Sequence, residues 1–320
     1  MRNMNRWLLG LLAVLVLSIV LPRVLPRHRD YPERLGDVDT TAVTKVVLAR
    51  GADSVQVEKA GAAWRLTAPV AWAADPRMVE GLLAALGDLR VTALANANRK
   101  LEADARYELG DAQATRLKVY AGARLALEAR LGRASQDYSG SFARLEGKEP
   151  IYRLAREVGS RLPANRSRWL DKVVCKVDAD SLNAIELQRA DGVLLFSRAD
   201  SAWSVRWSPA RGAGWTADAG DAPAFAGLRS TLCNLRMSDL PTPAQAAALA
   251  LAEPQLSHAL SLKDGRRLQF QWTRLEGERD LAFVRREGEA AWFAVYAGLV
   301  DRLEGKPGDF RAGGGAGARP

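Results

Sequence analysis

Apolar and polar residues alternate with a period of two along residues 46–64, and the same alternation returns along residues 185–203. VVLARGADSVQVEKAGAAW aligns on IELQRADGVLLFSRADSAW without a gap, at an offset of 139 residues. Val46 and Leu48 fall on Ile185 and Leu187, Val55 and Val57 on Leu194 and Phe196, and Trp64 on Trp203. A period of two marks half-buried strands, and Gly51 with Asp53, or Asp191 with Gly192, interrupts each run with turn formers. Each copy therefore predicts two hairpin-linked strands entering a third. Apolar residues at helical spacing follow in residues 75–91 and, more weakly, in 222–240, predicting an amphipathic helix in each copy. Residues 117–127 match 260–270 as strand, Gly-containing turn and strand. Residues 142–162 then align without a gap on 283–303, pairing Glu146 and Gly147 with Glu287 and Gly288, and Tyr152 with Phe293.

These patterns predict an α+β chain: an N-terminal transmembrane helix, then two tandem, mutually similar units of mostly antiparallel sheet with one or two helices each. The expected boundaries are an anchor over 1–25, a Pro/Arg-rich stalk over 26–39, a first repeat over 40–164, a linker over 165–180, a second repeat over 181–306 and a flexible Gly-rich tail over 307–320.

The anchor rests on residues 7–21, WLLGLLAVLVLSIVL, an uncharged run preceded by Arg2 and Arg6 and followed by Pro22 and Arg23. It is shorter than the ~20 residues that cross a hydrocarbon core and sits at the upper limit of a signal-peptide apolar region. The bulky SIVLPRVLP that follows lacks a small-x-small cleavage pattern. Val24 and Leu25 extend the apolar length while Arg23 snorkels, which favours a retained anchor over a cleaved signal. Charge does not orient it, because Arg23, Arg27, Arg29 and Arg34 outnumber Arg2, Arg6 and the terminal amine. Pro22, Pro26 and Pro32 stiffen the stalk, which reads as a solvated linker or as a contact with lipid headgroups or a neighbouring membrane subunit.

Composition removes several classes of function. A 48% hydrophobic content is that of a folded chain, and a net charge of +9 would attract anionic partners. The basic residues are nevertheless spread as single Arg at alternating positions, so nucleic acid is not expected as a partner. His28 and His258 are the two histidines, which excludes His-based triads and His-rich metal sites. Cys175 and Cys233 make no disulfide framework or zinc cluster; they read as a pair in an oxidising compartment or as two buried thiols. No cofactor is expected: the Gly-rich run 313–317 follows no strand and precedes no Lys-Ser or Lys-Thr.

Candidate chemistry is sparse. Glu102 with Asp104, and Asp218 with Asp221, read as solvated or capping acids more readily than as an acid–base pair. Ser139 and Ser141 in YSGSF lack a full G-x-S-x-G elbow and read as a turn. Trp64 and Trp203, at equivalent repeat positions, read as core. Trp72, Trp207 and Trp215 fall in the Pro- and Gly-rich turns after those strands and are the candidate contacts for a partner or a glycan.

The chain resembles the family catalogued as domain of unknown function 4340. The resemblance is carried by the apolar N-terminus, by Trp64 followed by Pro69 and a helix opening at Ala74-Asp75, and by Tyr107, Glu108, Leu109 and Gly110 before a strand, with Gln113 where proline is usual. Trp169, Lys172, Val173, Asp178, Ile185 and Leu187 match its linking motif. The resemblance implies a bacterial inner-membrane protein, single-pass through residues 7–25, with its repeats in the periplasm beside gliding-motility-type ABC transporters. The resulting expectation is a non-enzymatic accessory or scaffold subunit whose partners are inner-membrane or envelope proteins, including ABC transporter subunits. A glycan- or peptidoglycan-binding module is the alternative, and a hydrolase has least support.

Overall fold

The alternating runs fold into hairpins whose registers repeat from one copy to the other. In this computed structural model, which describes Leu15 and residues 30–98, 101–220 and 222–312, the chain divides into two compact units, 1–169 and 170–320. Apart from Leu15, the expected anchor lies outside the described residues. Among those described, no helix is long and apolar enough to cross a membrane.

Unit 1 is built on strands β1 (Lys45–Arg50), β2 (Asp53–Ala60), β3 (Ala63–Ala68), β4 (Trp72–Ala73), β5 (Val91–Asn96), β6 (Thr115–Ala121), β7 (Arg124–Ala134), β8 (Ser141–Leu145) and β9 (Ile151–Leu154). They form one antiparallel sheet in the order β4-β3-β2-β1-β6-β7-β8-β9-β5. Val46 pairs with both Val57 and Val119, and Leu48 with both Val55 and Leu117, so one face of three adjacent strands is continuously apolar and fully buried. Burial of such side chains contributes about 1.5–3 kcal/mol each. Helix α1 (Pro76–Gly87) opens on Asp75, whose carboxylate accepts from the Arg77 and Met78 amides, and it buries Val79, Leu82, Ala85 and Leu86. A second helix, α2 (Leu101–Tyr107), follows β5.

Unit 2 contains β10 (Val173–Lys176), β11 (Leu182–Arg189), β12 (Gly192–Ala199), β13 (Ala202–Pro209), β14 (Trp215–Asp218), β15 (Asn234–Arg236), β16 (Leu256–Leu262), β17 (Arg267–Thr273), β18 (Leu281–Arg286) and β19 (Phe293–Tyr296). Eight of these make a sheet in the order β14-β13-β12-β11-β16-β17-β18-β19, and β10 pairs with β15. Its helices are α3 (Pro223–Cys233), α4 (Pro243–Leu249) and α5 (Ala297–Leu303). Phe225 of α3 stacks on Phe196 at 4.7 Å and tilts against Trp203 at 5.1 Å, which seats the helix on the apolar face of β12 and β13.

The duplication is legible bond by bond. Ile185 pairs with Phe196 and Leu187 with Leu194, as Val46 pairs with Val57 and Leu48 with Val55. Phe142 pairs with Arg153 and Ala143 with Tyr152, as Phe283 pairs with Ala294 and Val284 with Phe293. The turns between these last strands use Gly147 and Gly288 at φ +72° and +82°, where a side chain would be strained. One expected correspondence shifts. Leu117 does not match Leu260: Val119 pairs with Val46 where Leu260 pairs with Ile185, so Leu117 corresponds to His258. Gly122 and Gly265 sit at different positions of hairpins of equal length, and an alignment through the glycines slips by two residues. A slip of two preserves the in–out alternation, so the apolar pattern could not detect it.

The linking segments also differ from expectation. Within the stalk, Leu35 and Val38 are buried, Leu35 N–H donates to Leu89 at 2.9 Å and Glu33 accepts from Val91 at 2.8 Å. In the linker, Lys172 accepts from Met237 at 2.9 Å and β10 pairs with β15. Glu33 and Lys172 lie at the same 139-residue offset as the hairpins, so each unit begins with a short arm paired to the segment that follows its first helix. Each also ends alike: short 3-10 turns, Arg166–Arg168 and Pro307–Phe310, deliver the fully buried Trp169 and Phe310. Residues 307–310 therefore belong to the second unit; residues 313–320 lie outside those described. The Trp169 indole donates to Pro163 O at 2.7 Å, and its carbonyl accepts from the Asp75 amide at 2.8 Å.

Because Leu35 is buried against its unit rather than solvated, Leu35→Ala should lower the stability of unit 1 by about 2–4 kcal/mol, read as a shift in its urea midpoint. The exposed neighbour Asp30→Ala should leave that midpoint within about 0.5 kcal/mol of wild type.

Candidate functional site

The two units differ most where the third strand of each turns back. In unit 1, β3 reaches β4 within a few residues, with Leu66 paired to Trp72. In unit 2, the β13–β14 hairpin is longer and carries Trp207 paired directly with Trp215. Sequence reasoning placed Trp72, Trp207 and Trp215 in turns; all three lie on strands and all are half-buried. The structure brings Trp207 and Trp215 together in unit 2, while Trp72 belongs to unit 1.

The tryptophan pair is held from the core side. Trp207 shares the face of Trp203 and Val205, and the Arg189 guanidinium lies 5.6 Å from its ring centroid. Arg189 also donates to the carbonyls of Leu303 at 3.3 Å and Gly305 at 2.6 Å, satisfying the end of α5, and pairs with Asp191. That ion pair holds the Asp191 carboxyl below its ordinary range. Arg311 covers Trp215 at 5.6 Å, and Ala312 N–H donates to Asp218 O at 2.7 Å. Gly214 permits the return: a Cβ there would stand 2.3 Å from the Trp207 carbonyl oxygen.

The expected core tryptophans divide. Trp203 is buried under Phe225, whereas Trp64 stays half-buried, since the matching helix position in unit 1 is Met78. Trp169, Trp272 and Trp292 are buried instead.

The acids do not assemble as a pair. Asp104 is taken by Arg144, which is nearly fully buried, through two hydrogen bonds that tie α2 to β8. Glu102 is exposed, and Asp218 accepts from the Gly220 amide at 2.9 Å. Ser139 lies in the expected turn, whereas Ser141 is buried at the start of β8 and its hydroxyl accepts from the Val158 amide at 3.2 Å. In the turn Asp137 accepts from the hydroxyls of Ser135 and Ser139 and is held below the usual carboxylate range by those bonds. Sequence reasoning missed the bidentate Arg130–Glu146 pair, at 2.7 and 3.1 Å, to which Asp111 adds a third bond at 2.7 Å. The hydrogen bonds from Arg130 lower both carboxyls. Its three members come from separate segments, so no local spacing marks it.

A family described as Domain of unknown function (DUF4340) matches residues 64–254. The chain belongs to this family. No curated protein and no solved structure matches the chain. The matched span runs from β3 of unit 1 to the loop before β16, and so includes the β13–β14 hairpin.

Two further features of this DUF4340 chain bear on its chemistry. Cys175 and Cys233 are free and buried, and burial raises both thiols, Cys233 to about 11, so neither is a ready thiolate at neutral pH. His258 is buried in the centre of the unit 2 sheet. It stacks on Phe270 at 4.7 Å, and its Nδ1 accepts from Trp272 Nε1 at 2.7 Å. Its Nε2 has no hydrogen-bond partner among the described residues. Burial alone pushes its pKa down to about 3.

The unfolded chain therefore takes up a proton near pH 6.5 that folded His258 refuses, so the stability of unit 2 is fully present above that pH and falls as the pH drops toward 3. Between pH 7 and pH 5 the loss should be ~2 kcal/mol. His258→Leu, which installs the Leu117 residue of unit 1, should abolish this component in urea titrations at the two pH values; an unchanged difference would refute the assignment.

Proposed function

We propose that this chain is a membrane-tethered, non-enzymatic envelope protein that acts as an accessory or scaffold subunit beside an ABC-type transporter. The observation that carries the reading is the internal comparison. Two units share one architecture down to the pairing of individual residues, and the clearest departure is a lengthened hairpin bearing paired, half-buried tryptophans. A duplicated scaffold preserves its core for stability, while added loops supply contact surface. Sheet edges further offer backbone donors and acceptors for a protein partner without any need for reactive groups. The apolar run at residues 7–21 supports the tether, and the periplasmic location and the transporter are part of this proposal, motivated by what the family resemblance implies.

Glycan or peptidoglycan binding is the second reading, favoured by the Trp207–Trp215 pair. The guanidinium groups of Arg189 and Arg311 beside those rings weigh against it, since a sugar would compete for the same stacking faces.

Detergent extraction and affinity purification of the full chain should recover a stoichiometric membrane complex. Replacing residues 208–214 by Asn-Gly should remove the partner while the chain stays folded. Recovery of this chain alone counts against the accessory-subunit reading, and retention on peptidoglycan sacculi that is lost in Trp207→Ala favours the glycan reading.

A further inference from the structure

The lengthened hairpin is also a local concentration of unneutralised positive charge. Residues 206–217 read RWSPARGAGWTA, with two arginines and no acid. Arg206, Arg211 and, beside Trp215, Arg311 are exposed, and among the described residues none forms an ion pair. Elsewhere in the unit Arg198, Arg266, Arg267, Arg274 and Arg286 each meet a carboxylate. The exposed Arg236, Arg279 and Arg302, which form no ion pair among the described residues, each have an acid within three residues along the chain, as Arg206 and Arg211 do not. The turn between Trp207 and Trp215 carries Pro209, Ala210, Gly212, Ala213 and Gly214; residues 210–214 are all exposed, and Ala210 N–H donates to Asp191 O at 2.9 Å.

Exposed arginine flanking half-buried tryptophan on a small-residue tip is the chemistry of the headgroup layer. The indole suits the boundary between polar and apolar regions, and guanidinium pairs with phosphate through parallel hydrogen bonds. A sugar would need an open ring face, whereas an exposed turn of small residues can enter a fluid layer. We propose that the β13–β14 hairpin docks on an anionic phospholipid surface, through Arg206, Arg211 and Arg311 with Trp207 and Trp215 at the interface. This rests on the membrane-tethered reading above and gives the second unit a contact with the bilayer distinct from the tether.

The test uses the full chain carrying Ala213→Cys, labelled with an environment-sensitive nitrobenzoxadiazole; Cys175 and Cys233 are buried and spared. The protein is reconstituted into vesicles of phosphatidylcholine or of an equal mixture with phosphatidylglycerol. The expected result is blue-shifted emission, quenched by brominated lipid, in the anionic vesicles only. Arg206→Gln, Arg211→Gln and Arg311→Gln should each reduce the docked fraction, with docking weakened roughly fivefold per charge. Arg279→Gln, an exposed charge outside the hairpin, should leave it unchanged. Equal emission in the two vesicle types overturns the proposal, as does an Arg279→Gln effect equal to that of Arg211→Gln, which would mean net charge alone. A partner that co-purifies through the hairpin while the label ignores lipid composition would also overturn it, and would leave the accessory-subunit reading standing with an acidic protein surface as the contact. Docking without any co-purifying partner would do the reverse.

Discussion

The structure depends on one constraint: the inward face of the central strands must stay apolar across three neighbours at once. Val46 and Ile185 each sit between two apolar partners, Val57 and Val119 in one unit, Phe196 and Leu260 in the other. A one-residue slip on either side would turn that whole set toward water, so the register is strongly specified there. The first helix of each unit and the closing aromatic residue settle on the surface so formed. Phe310 meets Phe196 edge-on at 5.6 Å, and Phe225 stacks on the same ring.

That constraint relaxes with distance from the central strands, and the two units diverge accordingly. At one edge, unit 1 adds β5 to β9, whereas unit 2 answers with an isolated bridge between Asp239 and Ala294 and a separate β10–β15 pair. At the other edge, unit 2 gains the tryptophan hairpin. Position 117/258 shows a substitution the core tolerates only with compensation. Leucine in unit 1 needs nothing, while histidine in unit 2 is matched by the Trp272 indole on one nitrogen and left unmatched on the other. A buried polar group of this kind costs stability unless paired, which makes His258 a local weakness set in an otherwise repeated ladder.

Charge follows the same division. In unit 1, Arg130 and Arg144 are drawn into carboxylate pairs that tie β7 and β8 to the preceding loop and helix. Around the β13–β14 hairpin the arginines lie over tryptophan rings or stand free. Exposed arginines elsewhere are of both kinds: Arg90, Arg116, Arg156, Arg266, Arg267 and Arg286 have an ion-paired acid, whereas Arg50, Arg65, Arg77, Arg124, Arg236, Arg279 and Arg302 form no ion pair among the described residues.

Local pattern alone determined the central strands, the first helix of each unit and the duplication, because a period of two or 3.6 residues and an ungapped match are properties of neighbouring residues. Trp64 and Trp203 marked the end of the shared hairpins correctly, although only Trp203 is in the core. Tertiary structure alone decided four things. The stalk and linker became paired arms, since their partners, Leu89 and Met237, lie more than fifty residues away in sequence. Trp169 and Phe310 became equivalent closing residues, since only the shared offset after folding relates them. Leu117 aligned with His258, because a two-residue shift leaves every side chain on its own face and is invisible to periodicity. Last, Trp207 and Trp215 became one feature and Trp72 another, because cross-strand pairing, unlike composition, depends on which residues the turn brings opposite each other.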